Sequence, residues 1–329
     1  MSCTYRNSYL ETDEFLSTTL HSLGIVQVPI HIFATYIVLA KTPKEMRNIK
    51  TSMLLMHLVS AWADIYVTIF ATPVFLFPAT AGYVLGLLYD VIPTWLACYF
   101  GFVSVCFVGP ALCSFFENRY NYLIRTDSVS KSRKWKRFCH NLFNIVFTIL
   151  VAVPPFRNVK DVQGFREILH ENFPCLPERI IQNPRLYYLN TDISTILVCI
   201  ALFYAIIVTQ AISLFIVTSV HLFKTKAQST RTSRLQKKFF KALCLQLALP
   251  VFAIVVPGFI FFYIFATGNL NIILCNCAVV GITSHGACSA VMMLIVHKPY
   301  RRAVLRMMRI ERREESPPCP KPVYIQCNN

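Results

Sequence analysis

The sequence predicts an all-α membrane protein: a seven-transmembrane helix bundle with a short amphipathic helix after the last span. Three observations carry this expectation. The composition is poor in charge, seven apolar stretches are long enough to cross a bilayer, and Lys and Arg gather on alternate connections. Of the 329 residues, 55% are hydrophobic and 15% charged, and 26 are Phe. Soluble domains carry about 25% charged residues, so a water-soluble core is a poor account of this chain.

A helix rises about 1.5 Å per residue, so roughly 30 Å of hydrocarbon takes about 20 apolar residues. Such stretches lie at residues 22–40, 51–76, 91–116, 138–153, 193–223, 242–265 and 272–296. Each is expected as a helix, because lipid offers a backbone amide no partner outside its own segment. The fourth is the shortest and ends on Pro154 and Pro155. The fifth is long enough to tilt or to project from the bilayer. Residues 1–21 then form an amino-terminal tail and residues 297–329 an amphipathic helix and tail. The first 21 residues carry Glu11, Asp13 and Glu14 and have no basic stretch leading into an apolar one, so the first span reads as its own insertion signal.

The net charge of +16 raises nucleic-acid binding, and the position of the charges decides against it. With these spans, the amino-terminal tail and even-numbered connections hold 6 of the 32 Lys and Arg residues, and the other side holds 26. Positive charge stays in the cytoplasm, so the amino terminus is expected outside and the carboxyl terminus inside. That requires an odd number of crossings. The basic loops then face anionic lipid rather than nucleic acid.

Within the spans, polar residues are few. Asp64 is the one acid well inside a span; it reads either as a hydrogen-bonded interior group or as a cation site or switch element. His285 and Ser289 of the seventh span are its candidate partners. Pro250 and Pro257 both fall in the sixth span, where each removes a helical hydrogen bond and encourages a kink. Of the 13 cysteines, Cys98 at the outer part of the third span and Cys175 in the long second outer connection are the candidate disulfide, with Cys3 as the competing partner. Ser229, Thr230, Thr232 and Ser233, set among arginines, are candidate kinase targets, and Cys319 and Cys327 are candidates for acylation. After the last span, residues 297–310 alternate basic groups with Val304, Leu305, Met307, Met308 and Ile310, the pattern of a helix lying on the inner leaflet. No catalytic or metal-ligating pattern appears, so neither enzyme nor metal nor cofactor chemistry is expected.

The third span ends abruptly in "FENRYN", residues 116–121. Together with "FPATAGYVLGLL" at 77–88, "QKKFFKALCLQLALP" at 236–250 and "HKPYRRAV" at 297–304, this stretch resembles the nematode serpentine chemoreceptors of class H, within the G-protein-coupled receptors. The resemblance covers nearly the whole bundle. It implies an olfactory-type receptor of sensory-neuron cilia that takes a small odorant-like ligand and activates a heterotrimeric G protein. It also implies that Arg119 and Tyr120 serve that coupling. The chain departs from the rhodopsin-like pattern in two places. Asn118, not an acid, precedes Arg119, and the seventh span ends in His297-Lys298-Pro299-Tyr300 instead of Asn-Pro-x-x-Tyr. Glu117 lies two residues from Arg119, about 200° round a helix, so the two are not expected to face each other. A ligand-gated channel or transporter with seven spans is the alternative function.

Overall fold

The computed structural model describes residues 2–156, 162–189, 193–224 and 230–308. A short strand, β1 (Ser2–Thr4), leads through a 3-10 turn into α1 (Asp13–Lys41). This helix starts earlier than residue 22 because Thr12 caps it. The Thr12 hydroxyl accepts the Phe15 amide at 3.1 Å, and Asp13 and Glu14 sit in the first turn, where the helix dipole favours acids. The expected tail therefore shrinks to the residues before Asp13.

α2 (Arg47–Ile65) continues as a π-helical turn, Tyr66–Ala71, and stops there. Thr72 takes a left-handed conformation (φ 43°), and the chain turns into the hairpin β2 (Pro73–Leu76) and β3 (Ala81–Val84). The span expected to reach residue 76 is thus corrected. Residues 73–76 are apolar because they lie in a buried hairpin, not because they meet lipid. The motif at 77–88 is the turn and second strand of this hairpin, and Gly82 is required in it: a Cβ there would stand 2.4 Å from the Val74 carbonyl oxygen.

The third span is α3 (Thr94–Cys106) and α4 (Val108–Leu123), interrupted at Phe107, where Pro110 has no amide to give the Cys106 carbonyl. α5 (Lys131–Val151) and α6 (Val153–Phe156) make the fourth, beginning seven residues before the predicted start. The long connection that follows holds α7 (Val162–Asn172), α8 (Glu178–Ile181) and β4 (Tyr187–Tyr188). α9 (Ile193–Lys224), α10 (Thr230–Thr267), β5 (Asn269–Asn271), α11 (Ile272–Thr283), α12 (His285–Val296) and α13 (Lys298–Met307) complete the chain. Six helical stretches are long and apolar enough to cross a membrane, and α10 adds the shorter apolar stretch Phe252–Thr267 among the described residues.

In the bundle, α1 packs on α2, α2 on α4 and α12, α4 on α9, and α10 on α11 and α12, while α13 returns against α1. The core falls into two clusters. One, at the amino-terminal end, joins Leu16, Leu20, Tyr83, Leu169 and Tyr187; the other, at the basic end, joins Ile37, Met53, Phe115, Met293 and Tyr300. α10 remains one helix through Pro250 and Pro257. The Pro257 ring is buried against Gly281 of α11, where a Cβ would come within 2.9 Å of its Cγ. The Pro250 side chain, the candidate kinase-target segment at 229–233 and Cys319 and Cys327 lie outside the described residues or side chains.

Two small sheets close the amino-terminal end. β2, β3 and β4 pair in antiparallel order, and β1 lies parallel to β5 with Cys3 opposite Leu270. This pairing holds Cys3 at the start of the seventh span, and a disulfide joins it to Cys175 of the connection after the fourth, with their Cα atoms 5.9 Å apart. The expected Cys98–Cys175 bridge is therefore corrected. Cys98 is a free, buried thiol of α3. It interacts with Tyr187, a residue of β4 that lies in the same buried cluster. From β3 of the same sheet the Tyr83 hydroxyl donates to Asp13 at 2.6 Å; burial first, and the Asp13 charge second, push its pKa well above the ordinary value and keep it a donor.

Candidate functional site

The seventh span is two helices, and the joint between them is where Asp64 belongs. α11 ends at Thr283 and α12 begins at His285, which leaves the first amides of α12 without carbonyl partners inside the helix. Asp64 of α2, fully buried, supplies the missing acceptor. Its carboxylate takes the amides of Gly286 at 3.3 Å and Ala287 at 2.8 Å. Two imidazoles complete the shell: His31 Nε2 of α1 at 3.3 Å and His285 Nδ1 at 3.2 Å. Because His285 Nδ1 also lies 2.7 Å from the Ile282 carbonyl, that nitrogen carries the hydrogen. The His57 ring lies 5.4 Å from that of His31, and its Nε2 donates to the His31 carbonyl at 3.2 Å.

Asp64 thus caps a helix of another span. A buried carboxylate is costly unless donors surround it, and here four N–H groups and a helix N-terminus do so. Those donors suit an anion and offer no oxygen ligands to a cation, and among the described residues no group of His, Cys, Asp and Glu is arranged to hold a metal. Gly286 permits the contact, since a Cβ there would lie 2.6 Å from Asp64 Oδ2 and 2.8 Å from the Ser60 carbonyl. Of the residues expected near Asp64, His285 bonds to it. Ser289, one turn further along α12 and also buried, does not bond to it. His31 was missed, although Gln27 and His31 stand four apart in an apolar span, the signature of an inward polar face.

At the basic end, α4 carries the residues of "FENRYN" into the interior. Glu117, Asn118, Arg119 and Asn121 are all buried. α5 begins beside them, its N-cap Ser130 accepting the Arg133 amide at 3.1 Å. Arg133 and Arg137, one turn apart, each reach Glu117 at 2.6 Å. Arg133 also donates to Asn121 and Arg137 to Asn118, both at 2.9 Å, and Asn118 donates to Ser52 of α2 at 3.1 Å. One acid with two arginines and two amides binds α4, α5 and α2 together. Sequence reading did not find the clamp. Two matched i, i+4 pairs, Glu117 with Asn121 and Arg133 with Arg137, were its visible trace.

Arg119 turns away from Glu117. Its guanidinium lies 5.8 Å from the Phe115 ring, and its charge is felt at His297, where burial first and Arg119 second hold the imidazole down at about 4. Tyr120 is half-buried, with the Arg133 guanidinium 5.6 Å from its ring. The His297 ring lies 5.7 Å from that of Tyr300, whose hydroxyl meets Thr42, the C-cap of α1, at 3.0 Å. The motif "HKPYRRAV" therefore joins the end of α12 to α1 and to the surroundings of Arg119.

Apolar helices, six of them long enough to cross a membrane, thus pack with a divided seventh span and a buried arginine at the end of the third. The family model described as "Serpentine type 7TM GPCR chemoreceptor Srh" matches residues 11–310, and the chain belongs to that family. It is similar to serpentine receptor class H-72 of Caenorhabditis elegans, with 22% identity over 303 residues, which is 89% of this chain and 85% of the relative.

Proposed function

We propose that the chain is a chemosensory receptor that binds a small environmental ligand among its helices and activates a heterotrimeric G protein. The family match over residues 11–310 carries this reading. In it the amino terminus lies outside, as the 26-to-6 division of Lys and Arg favours, and the protein works in the plasma membrane of sensory-neuron cilia. α13 lies on the inner leaflet, with Val304 against the bundle core and Met307 towards lipid. The ligand shifts a population between bundles closed and open at the basic end. Opening moves α10 outward, with Pro250 and Pro257 as bending points, and lets the G protein reach Arg119 and Tyr120. Asp64, bonded to both α1 and the joint of the seventh span, is the interior switch that senses the movement. The weakly charged, aromatic interior suits small odorants.

An odorant panel on cells expressing the chain, read by G-protein activation, tests this reading. Arg119→Ala is expected to keep surface expression and ligand binding while losing activation at least tenfold. Normal signalling by Arg119→Ala at matched surface level would reduce that residue to a boundary arginine. Ligand-evoked current in cells without functional G proteins would replace the receptor reading with a channel. A tag fused at the amino terminus is expected to bind antibody on intact cells, and the opposite accessibility would reverse the orientation.

A further inference from the structure

α5 presents two unlike faces over its first turns. Successive residues turn by about 100°, so Arg133, Arg137, His140 and Asn144 share one side, and Lys131, Lys134, Trp135 and Phe138 share the other. The first side is engaged within the bundle. Arg133 and Arg137 hold Glu117, and His140 and Asn144 meet Gln210 of α9 at 2.8 and 3.1 Å. The second side points outward. Lys131 and Lys134 are exposed, as are Trp135 at 65% and Phe138 at 54%, and the two rings stack on each other with centroids 5.5 Å apart.

The same outward stripe continues through Leu142, Ile145 and Ile149, all exposed. Along one line the side chains thus pass from ammonium to amphipathic aromatic to aliphatic. That order follows the depth profile of a leaflet from phosphate to interface to hydrocarbon. The charge of the two lysines is not cancelled nearby in sequence, because Asp127 is held on both oxygens by Arg125, at 2.8 and 2.9 Å.

We infer that this face of α5 is a docking surface for anionic phospholipid headgroups, with Lys131 and Lys134 on phosphate oxygens and the Trp135–Phe138 pair at the boundary with the acyl chains. The inference rests on α5 crossing the membrane and not on the ligand or the G protein. It has a consequence for the clamp. Arg133 and Arg137 leave the same two turns towards Glu117, so a headgroup that pins the outer side also steadies the junction of α4 and α5.

The test uses the purified full chain in neutral detergent micelles, titrated with fluorescent phosphatidylinositol 4-phosphate and with the matching phosphatidylcholine. Saturable binding of the anionic lipid is expected, with at least tenfold weaker binding of the zwitterionic one. Each basic residue near a leaflet surface contributes enough to change affinity about fivefold, so Lys131→Gln and Lys134→Gln are each expected to weaken binding about fivefold and together about 25-fold. Lys131→Arg retains binding, and Trp135→Ala loses part of it. Lys136→Gln lies about 140° round the helix from Lys131 and is expected to change affinity less than twofold. Equal loss in Lys136→Gln, or equal affinity for both lipids, overturns the inference. Neither result depends on signalling, so failure here leaves the receptor reading standing.

Discussion

Asp64 is the residue on which three spans meet, and its substitutions separate charge from shape. Asp64→Asn keeps one oxygen for the Ala287 amide but turns an NH2 towards donors, which costs about 1–3 kcal/mol through the unmatched buried group. Asp64→Leu removes every acceptor and uncaps α12, and is expected to cost about 3–5 kcal/mol. Thermal unfolding of the purified variants checks the order, and equal melting temperatures for the two would refute the capping role. His297 makes a second prediction at this scale. An unfolded His titrates near 6.5, while burial and then Arg119 hold the folded group at about 4. The unfolded chain therefore binds the extra proton, and stability linked to His297 is complete above pH 6.5 and lost as pH falls through about 4. The melting temperature of the wild type should drop over this window more steeply than that of His297→Gln. Parallel curves would remove His297 as the cause.

Between elements, the clamp of α4 on α5 depends on one acid. Glu117 is more deeply buried than Arg133 and Arg137, so removing it leaves two guanidinium groups that can partly turn to water. Glu117→Gln is expected to destabilise by about 1–3 kcal/mol, the cost of unsatisfied buried donors and less than that of a fully buried broken pair. In a cycle with Arg137→Ala the losses should fall short of additive, because the second change removes a partner already lost. Strict additivity would mean that the pair has no energetic coupling. Basal signalling of Glu117→Gln should change little, since Glu117 bonds to α5 and Arg119 lies on another side of α4.

Over the whole molecule, the amino-terminal end is tied more firmly than the sequence suggests. β1 on β5 and the Cys3–Cys175 bridge join the first residues to the connection after the fourth span and to the start of the seventh. The bridge closes a long loop, and losing one of this kind costs about 2–5 kcal/mol. Cys3→Ser is therefore expected to lower surface expression and to expose Cys175 to thiol reagents without reduction, whereas Cys98→Ser does neither. Free labelling of Cys175 in the unreduced wild type would refute the pairing.

The apolar stretches, six of which form helices long and apolar enough to cross a membrane, and the sorting of Lys and Arg between their ends were legible in the sequence. Crossing lipid demands long apolar runs, and that demand is met within each segment. The same local demand misled at residues 73–76, because a buried hairpin and a lipid-facing helix need equally apolar side chains, and only the turn at Thr72 separates them. Arg119 could be marked at the end of the third span, and its separation from Glu117 follows from helix geometry alone. Which partners the polar groups take was decided by the tertiary structure. Asp64 with His31 and the α12 amides, Glu117 with Arg133 and Arg137, and Cys175 with Cys3 instead of Cys98 join different segments of the chain. Such pairs form only when particular helices and strands come into contact, and no local pattern of residues specifies that contact.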